Sequence, residues 1–141
     1  NLSEGRGTTR PFELIGAPWL QHNLLVEKLN ELNLPGVQFR PQLFTPTFSK
    51  YQGETCRGLQ IHVIDRDLFD PVLTVLSLIS AVIELHPDRF EFREAGFDRL
   101  AGNSWIRRML SNREPVSSIM ARWQEATKKF SDARREFLLY P

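Results

Sequence analysis

At 141 residues, 41% hydrophobic and 25% charged, the chain has the composition of an ordinary globular domain whose core needs no staples. A formal net charge of +1 leaves no global field to gather nucleic acid or an anionic membrane surface. The single Cys56 excludes an intrachain disulfide and a cysteine metal cluster, and the longest apolar run, 72–85, is too short to span a bilayer.

Residues 1–13 do not look built for a core. Leu2 and Phe12 are their only large apolar side chains, among two carboxylates, two guanidiniums, three hydroxyls and two glycines. Glycine on both sides of Arg6 lets the backbone turn tightly and approach a ligand closely. Arg6 and Arg10 would each offer a planar fork to a carboxylate or phosphate. Glu4 and the Thr8 hydroxyl would add bonds to sugar hydroxyls, or Glu4 would hold an arginine in place. Pattern alone leaves two readings open, the wall of a site and a frayed end with surface ion pairs. A chain that opens inside such a motif is expected to be part of something longer.

A helix is predicted over 18–33, with Pro18 at its first position and Leu25, Leu29 and Leu32 as its apolar stripe. Pro35 and Gly36 end it. Val37–Phe44 reads as a strand with Val37 and Phe39 on one face and Gln38 and Arg40 on the other. Pro41 makes it an edge strand or a bulged one. A second strand is predicted over 59–65. The connection 45–57 is longer and more polar than joining two strands requires, and long structured loops are often functional.

Asp70 caps the next helix, predicted over 71–86, with Pro71 at its first position. It is apolar nearly all round and therefore has to be covered on more than one side. Residues 89–97 read as irregular or a short strand, and 97–102 as a turn stabilised by Asp98 and Arg99. Asn103 and Ser104 can cap a short helix over 105–111. A last helix is predicted over 115–138, with Val116, Ile119, Met120, Trp123, Phe130, Ala133 and Phe137 on one face. From residue 101 onward eight Lys/Arg accompany four Asp/Glu, which suits a solvated helix face. The predicted class is α+β, one domain of helices packed on a small mixed or antiparallel sheet.

Several constellations could carry chemistry. His62 lies on the polar side of its strand, with Asp65 and Arg66 at the strand's end, although a packed histidine and a turn-forming Asp fit the same spacing. The long loop supplies Lys50, Tyr51 and Glu54 beside Thr45 and Ser49. Aromatic, hydroxyl and charge together suit a sugar, while Phe48 and Tyr51 could equally pin the loop to the core. His22, His62 and His86 have no metal-ligand spacing, and neither a nucleophile elbow nor a P-loop is present.

Ser3-Glu4-Gly5-Arg6-Gly7-Thr8-Thr9-Arg10-Pro11-Phe12-Glu13 is followed by Gly16-Ala17-Pro18-Trp19, Leu34-Pro35-Gly36-Val37, Phe39-Arg40-Pro41 and Phe44-Thr45-Pro46-Thr47-Phe48-Ser49-Lys50-Tyr51. Gly53-Glu54, Cys56-Arg57-Gly58, Gln60-Ile61-His62-Val63, Asp65-Arg66, Phe97-Asp98-Arg99-Leu100-Ala101-Gly102 and Leu138-Leu139-Tyr140 complete the series. Together they resemble the C-terminal domain of the NamZ-type exo-β-N-acetylmuramidases. Ile64 departs from the small polar residue usual before Asp65-Arg66, which touches packing more than chemistry.

The resemblance implies a bacterial glycoside hydrolase that releases N-acetylmuramic acid from the non-reducing end of peptidoglycan fragments, needing no cofactor or metal. Residues 1–141 would be its C-terminal, substrate-binding domain. A Rossmann-like N-terminal domain, carrying the principal catalytic glutamate, would face it across the cleft. Expected substrate contacts are Glu4, Arg6, Thr8, Arg10, Lys50, Tyr51, Glu54 and His62, with Arg6 or Arg10 pairing the lactyl carboxylate. Glu4 and Asp65 are minority candidates for a second catalytic carboxyl. An exported, periplasmic or extracellular protein is expected. The alternatives are a non-catalytic module that binds cell-wall sugars or another anionic ligand, and a complete small hydrolase using Glu4 and Asp65.

Overall fold

The computed structural model describes residues 1–139; Tyr140 and Pro141 lie outside the described residues. In chain order the elements are β1 (Leu14–Ala17), α1 (His22–Glu31), β2 (Val37–Phe44), β3 (Cys56–Val63), α2 (Pro71–Leu85), α3 (Glu94–Ala101), α4 (Trp105–Ser111) and α5 (Val116–Arg134), which ends in a 3-10 turn at Arg135–Phe137. The three strands form one antiparallel sheet in the order β1-β3-β2. The class is the expected α+β.

The sheet is organised about β3, whose hydrogen bonds run both ways. β2 occupies an edge, and Pro41 faces Leu59 there at no cost to a ladder on its far side. That free edge is covered in part by α1. The Asn30 amide donates to the Phe39 carbonyl at 3.0 Å and accepts from the Phe39 N–H at 3.0 Å, so one side chain replaces a strand partner. β3 starts at Cys56 instead of the expected Leu59, because the backbone from Cys56 to Gly58 pairs with Phe44 to Gln42. β1 is an addition to the expected strands; its four residues, two of them small, show no alternation, and it exists only through pairing with β3.

One face of the sheet carries Val37, Phe39, Leu59 and Ala17 into a core with Leu25, Val26 and Leu29 of α1 and Leu78, Ala81 and Val82 of α2. The opposite sides of α2 meet Ile106, Leu110, Ile119 and Met120 of α4 and α5. As its all-round apolarity demands, α2 is covered from two directions. Asp70 caps it by accepting from the Leu73 N–H at 2.9 Å.

Several expectations need correcting. α1 begins at His22, because Pro18 sits in a turn and the Gln21 N–H is taken by His86 Nε2 at 3.1 Å. Leu32 then falls beyond the helix and is half exposed. Residues 94–101, expected as irregular chain and a turn, form α3; Asp98 leaves Arg99 aside and takes a two-pronged bond from Arg107 of α4, 2.8 Å for each prong. Regular helix in α5 ends at Arg134, short of 138.

Two tests follow from this packing. A Cβ at Gly58 would lie 2.1 Å from the Ile15 carbonyl oxygen, whereas at Gly53 it meets nothing. Gly58→Ala is expected to cost about 3 kcal/mol by overpacking, and Gly53→Ala about 1 kcal/mol from its left-handed backbone alone, by denaturant titration. The second concerns His86, whose acceptor role requires a neutral ring. Burial first, and the Arg89 charge second, hold its pKa below the usual 6.5. Its contribution is complete above pH 6.5 and declines as pH falls toward the folded-state pKa. Thermal midpoints measured from about pH 7 to 5 should show that decline, and His86→Gln should flatten it.

Candidate active-site wall

The opening ribbon is part of the fold. Ser3 is buried, and its N–H and carbonyl exchange bonds with Gly16 at 2.8 and 3.1 Å, so the ribbon hangs from β1. Asn1 ties it to the chain after α2 through the Arg89 carbonyl and the Glu91 N–H. Beyond Ser3 the backbone turns through positive φ at Gly5 and Gly7. The Gly7 carbonyl accepts from both the Thr47 N–H and its hydroxyl, at 2.8 and 3.0 Å. A Cβ at Gly7 would stand 2.5 Å from the Phe48 carbonyl oxygen. The close approach assigned to a ligand is therefore made to the chain's own 45–55 loop.

This seating gathers Glu4, Arg6 and Lys50. Glu4 forms an ion pair with Arg6, whose Nε stands 3.0 Å away, and accepts a hydrogen bond from Lys50 Nζ on the loop. Burial pushes the Glu4 carboxyl up, but the bond from Lys50, the backbone bond and the two positive charges together hold it below the ordinary glutamate range. Arg6 also stacks 5.5 Å over the ring of Phe12, which is exposed. Phe12, Ser49 and Tyr51 all sit at positive φ, a cluster of strained non-glycine residues around one ribbon and loop.

Two other expected contacts are occupied internally. The Thr8 hydroxyl donates to the Gly5 carbonyl at 2.6 Å and accepts from the Arg10 N–H at 3.1 Å. The Tyr51 hydroxyl donates to the Asn1 carbonyl at 2.7 Å and receives Trp19 Nε1 at 3.3 Å. Glu54 is exposed on the loop. Burial first, then the Glu54 charge, pushes the Cys56 thiol up to about 11, which leaves it inert as a nucleophile.

Arg10 and His62 belong to a second grouping, a cavity of about 510 Å³ lined by Arg10, Glu13, Gln60, His62, Arg66 and Phe69 with Ile61 and Val63. Its polar wall is a relay. Arg10 pairs with Glu13 at 3.2 Å, Gln60 Nε2 donates to Glu13 at 3.2 Å, and Arg40 donates to Gln60 Oε1 at 3.1 Å. Gln60 is 3% exposed on the central strand, so the relay satisfies an amide that would otherwise be buried unpaired. His62 Nε2 is the buried side-chain atom without a partner among the described residues. Arg66 makes no ion pair among them either. Asp65 stands beside this cavity without joining it; its carboxylate accepts from the Asp67 and Leu68 N–H groups, the turn-forming role.

Glu13, Gln60 and Arg66 were missing from the expected contacts. A glutamine within a strand otherwise feeding the core was the available signal, since a buried amide needs partners. Among the described residues no group of three or more His, Cys, Asp or Glu could hold a metal, and no helix is long and apolar enough to cross a membrane.

Residues 1–140 match the family described as exo-beta-N-acetylmuramidase NamZ, C-terminal. The chain belongs to this family. It is 51% identical over 141 residues to the peptidoglycan beta-N-acetylmuramidase NamZ of Bacillus subtilis (strain 168), covering 99% of this chain and 34% of that one. A crystal structure of a DUF1343 family protein from Bacteroides fragilis NCTC 9343 superposes with a TM-score of 0.89 at 29% identity, over 99% of this chain and 38% of the other. A second DUF1343 protein of that organism, at 24% identity and a TM-score of 0.65 over 99% of this chain and 36% of its own, shares the fold. The chain thus spans about a third of the relatives it matches.

In this NamZ C-terminal domain the Glu4–Lys50 pair locks ribbon to loop, and its pH dependence tests the lock. Because the folded-state pKa of Glu4 is lowered from 4.5, the pair's contribution is full above pH 4.5 and is lost as pH falls through the folded value. Lys50→Met should cost about 1 kcal/mol at neutral pH, and the gap from the parent should close in acid. A constant gap from about pH 7 to pH 3 would refute the lock.

Proposed function

We propose that this chain forms one wall of the substrate cleft of an exo-acting β-N-acetylmuramidase, which releases N-acetylmuramic acid from the non-reducing end of peptidoglycan fragments. The supporting observation is its 51% identity, over 99% of its length, to a peptidoglycan β-N-acetylmuramidase. Hydrolysis of a glycoside canonically uses two carboxyl groups, one protonated at working pH to deliver a proton to the leaving oxygen. Glu4 is held ionised by Arg6 and Lys50, and Asp65 is occupied in its turn. The acid is therefore assigned to the portion that precedes this domain in its relatives, and this domain binds.

What it binds follows from charge. N-acetylmuramic acid differs from a neutral amino sugar by its lactyl carboxylate. The cavity lined by Arg10, Arg66 and His62 offers that anion two guanidiniums against the single carboxylate of Glu13. This moves the carboxylate contact from Arg6, which is engaged by Glu4 and Phe12, to Arg10 and Arg66. An enzyme that meets peptidoglycan fragments at their ends would act outside the cytoplasmic membrane, in the periplasm or beyond.

In the complete enzyme, Arg10→Ala and Arg66→Ala should each raise KM for a chromogenic muramic acid glycoside about tenfold or more, the effect of losing one charge-assisted bond. The kcat should change far less. Unchanged KM in both variants would overturn the carboxylate assignment, and turnover by the isolated 141-residue chain would overturn the division of labour.

A further inference from the structure

The apolar stripe of α5 is half used. Val116, Trp123 and Phe130 recur at seven-residue intervals, so they lie along one side of the helix, flanked by Ile119, Ala126 and Ala133, and Phe137 follows in the 3-10 turn that ends it. The first half of this stripe is packed: Ile119 and Met120 are buried against Leu76, Ile83, Ile106 and Leu110, and Val116 and Trp123 rest on the same cluster. The second half is bare. Phe130 is 67% exposed and Phe137 77%, and Leu138 and Leu139 beyond them are exposed too. From Gln124 to Arg134 the helix buries no side chain, and these residues, roughly 16 Å of helix at about 1.5 Å per residue, overhang the domain.

A lone overhang of this length has little reason to stay helical in water, because short helices draw their stability from a packed face. Phenylalanine alternating with alanine is also the wrong surface for solvent and the right one for another helix or a flat apolar wall, since Ala133 and Ala126 let a neighbour approach while the rings fill its hollows. The packed and bare halves are one continuous stripe, so whatever covers Phe130 and Phe137 abuts the α2–α4–α5 core.

We propose that the bare half of this stripe is the seat of the portion of the protein that precedes this domain in its relatives. Those relatives carry this region as 34%, 38% and 36% of a longer chain. The Bacteroides protein with TM-score 0.89 matches 99% of this chain, α5 included, while the remaining part is present. A domain joined in the same chain is at high effective concentration, which a second copy is not. The inference is independent of the sugar chemistry; it concerns how the two walls are held together.

The test uses the full-length protein carrying both portions, with Phe130→Asp and Phe137→Asp combined, and Lys129→Asp on the solvated side as control. The double variant should lose joint unfolding, giving two separated calorimetric transitions, and its junction should be cleaved by a trace protease at least about tenfold faster than in the parent. The control should change neither. Parent-like melting and cleavage in the double variant would overturn the proposal. So would a parent that sediments as a dimer and a double variant that sediments as a monomer with its junction still protected, because the occupant would then be a second copy.

Discussion

The position of every candidate side chain depends on how closely β1 approaches β3. Gly16 faces Gly58 across that pair, and a Cβ on either would fall within 3 Å of the opposing backbone. The gap they leave is filled by the Phe44 ring, whose edge stands 2.9 Å from where a Gly16 Cβ would be, making a small second core with Leu14 and Cys56 on the sheet's outer face. Gly16 is also the residue that holds Ser3. The same close contact therefore assembles the sheet, hangs the ribbon on it, and sets Glu13 beside Gln60.

From this anchor the ribbon and loop fold as one unit. Glycine conformational freedom at positions 5 and 7 is consumed by seating one on the other, and the arginine between them is left on the outer surface. Electrostatics then separates the two groupings. Around Glu4 one carboxylate answers two cations, and the pairing is complete within the domain. In the cavity near His62, Glu13 answers Arg10 while Arg66 makes no ion pair among the described residues. Each grouping sets two cations against one carboxylate, but Glu4 engages both of its cations while Arg66 is left unengaged among the described residues, which favours order at the first and recognition at the second.

Much of the fold was legible because it rests on local rules. Asp70 with Pro71 located α2, Pro41 placed β2 at an edge, and the alternation of Val37, Gln38, Phe39 and Arg40 gave its two faces. What escaped depends on distant partners. β1 has no pattern of its own and exists because Gly58 admits it. The start of α1 was displaced by His86, sixty-five residues away, and α3 buries no residue fully, resting Phe97 and Ala101 on the second core while Arg107 ties it to α4. The site was legible in its residue types and less so in their roles. Arg6, Arg10, Glu4 and His62 all stand near the ribbon or the cavity. Thr8 and Tyr51 turned out to direct their hydroxyls to the backbone, an outcome set by where the ribbon lands.

A cleft wall that binds an acidic sugar faces a conflict between charge and proton chemistry. Guanidiniums that attract a lactyl carboxylate also depress the pKa of any nearby carboxyl, which is the opposite of what a general acid needs. Glu4 illustrates the effect: even partial burial, which alone would raise its pKa, is overcome by the bond from Lys50, a backbone bond and the charges of Lys50 and Arg6. An acid placed among these cations would be ionised before it could donate. The proposed division, with anion recognition on this domain and the proton donor on another, would resolve the conflict, because the donor could then sit in a drier and less positive setting. If the proposed function holds, a two-part architecture would answer the chemistry of the substrate as well as its size, and the proposed seat on α5 would be the element that keeps the two settings in register.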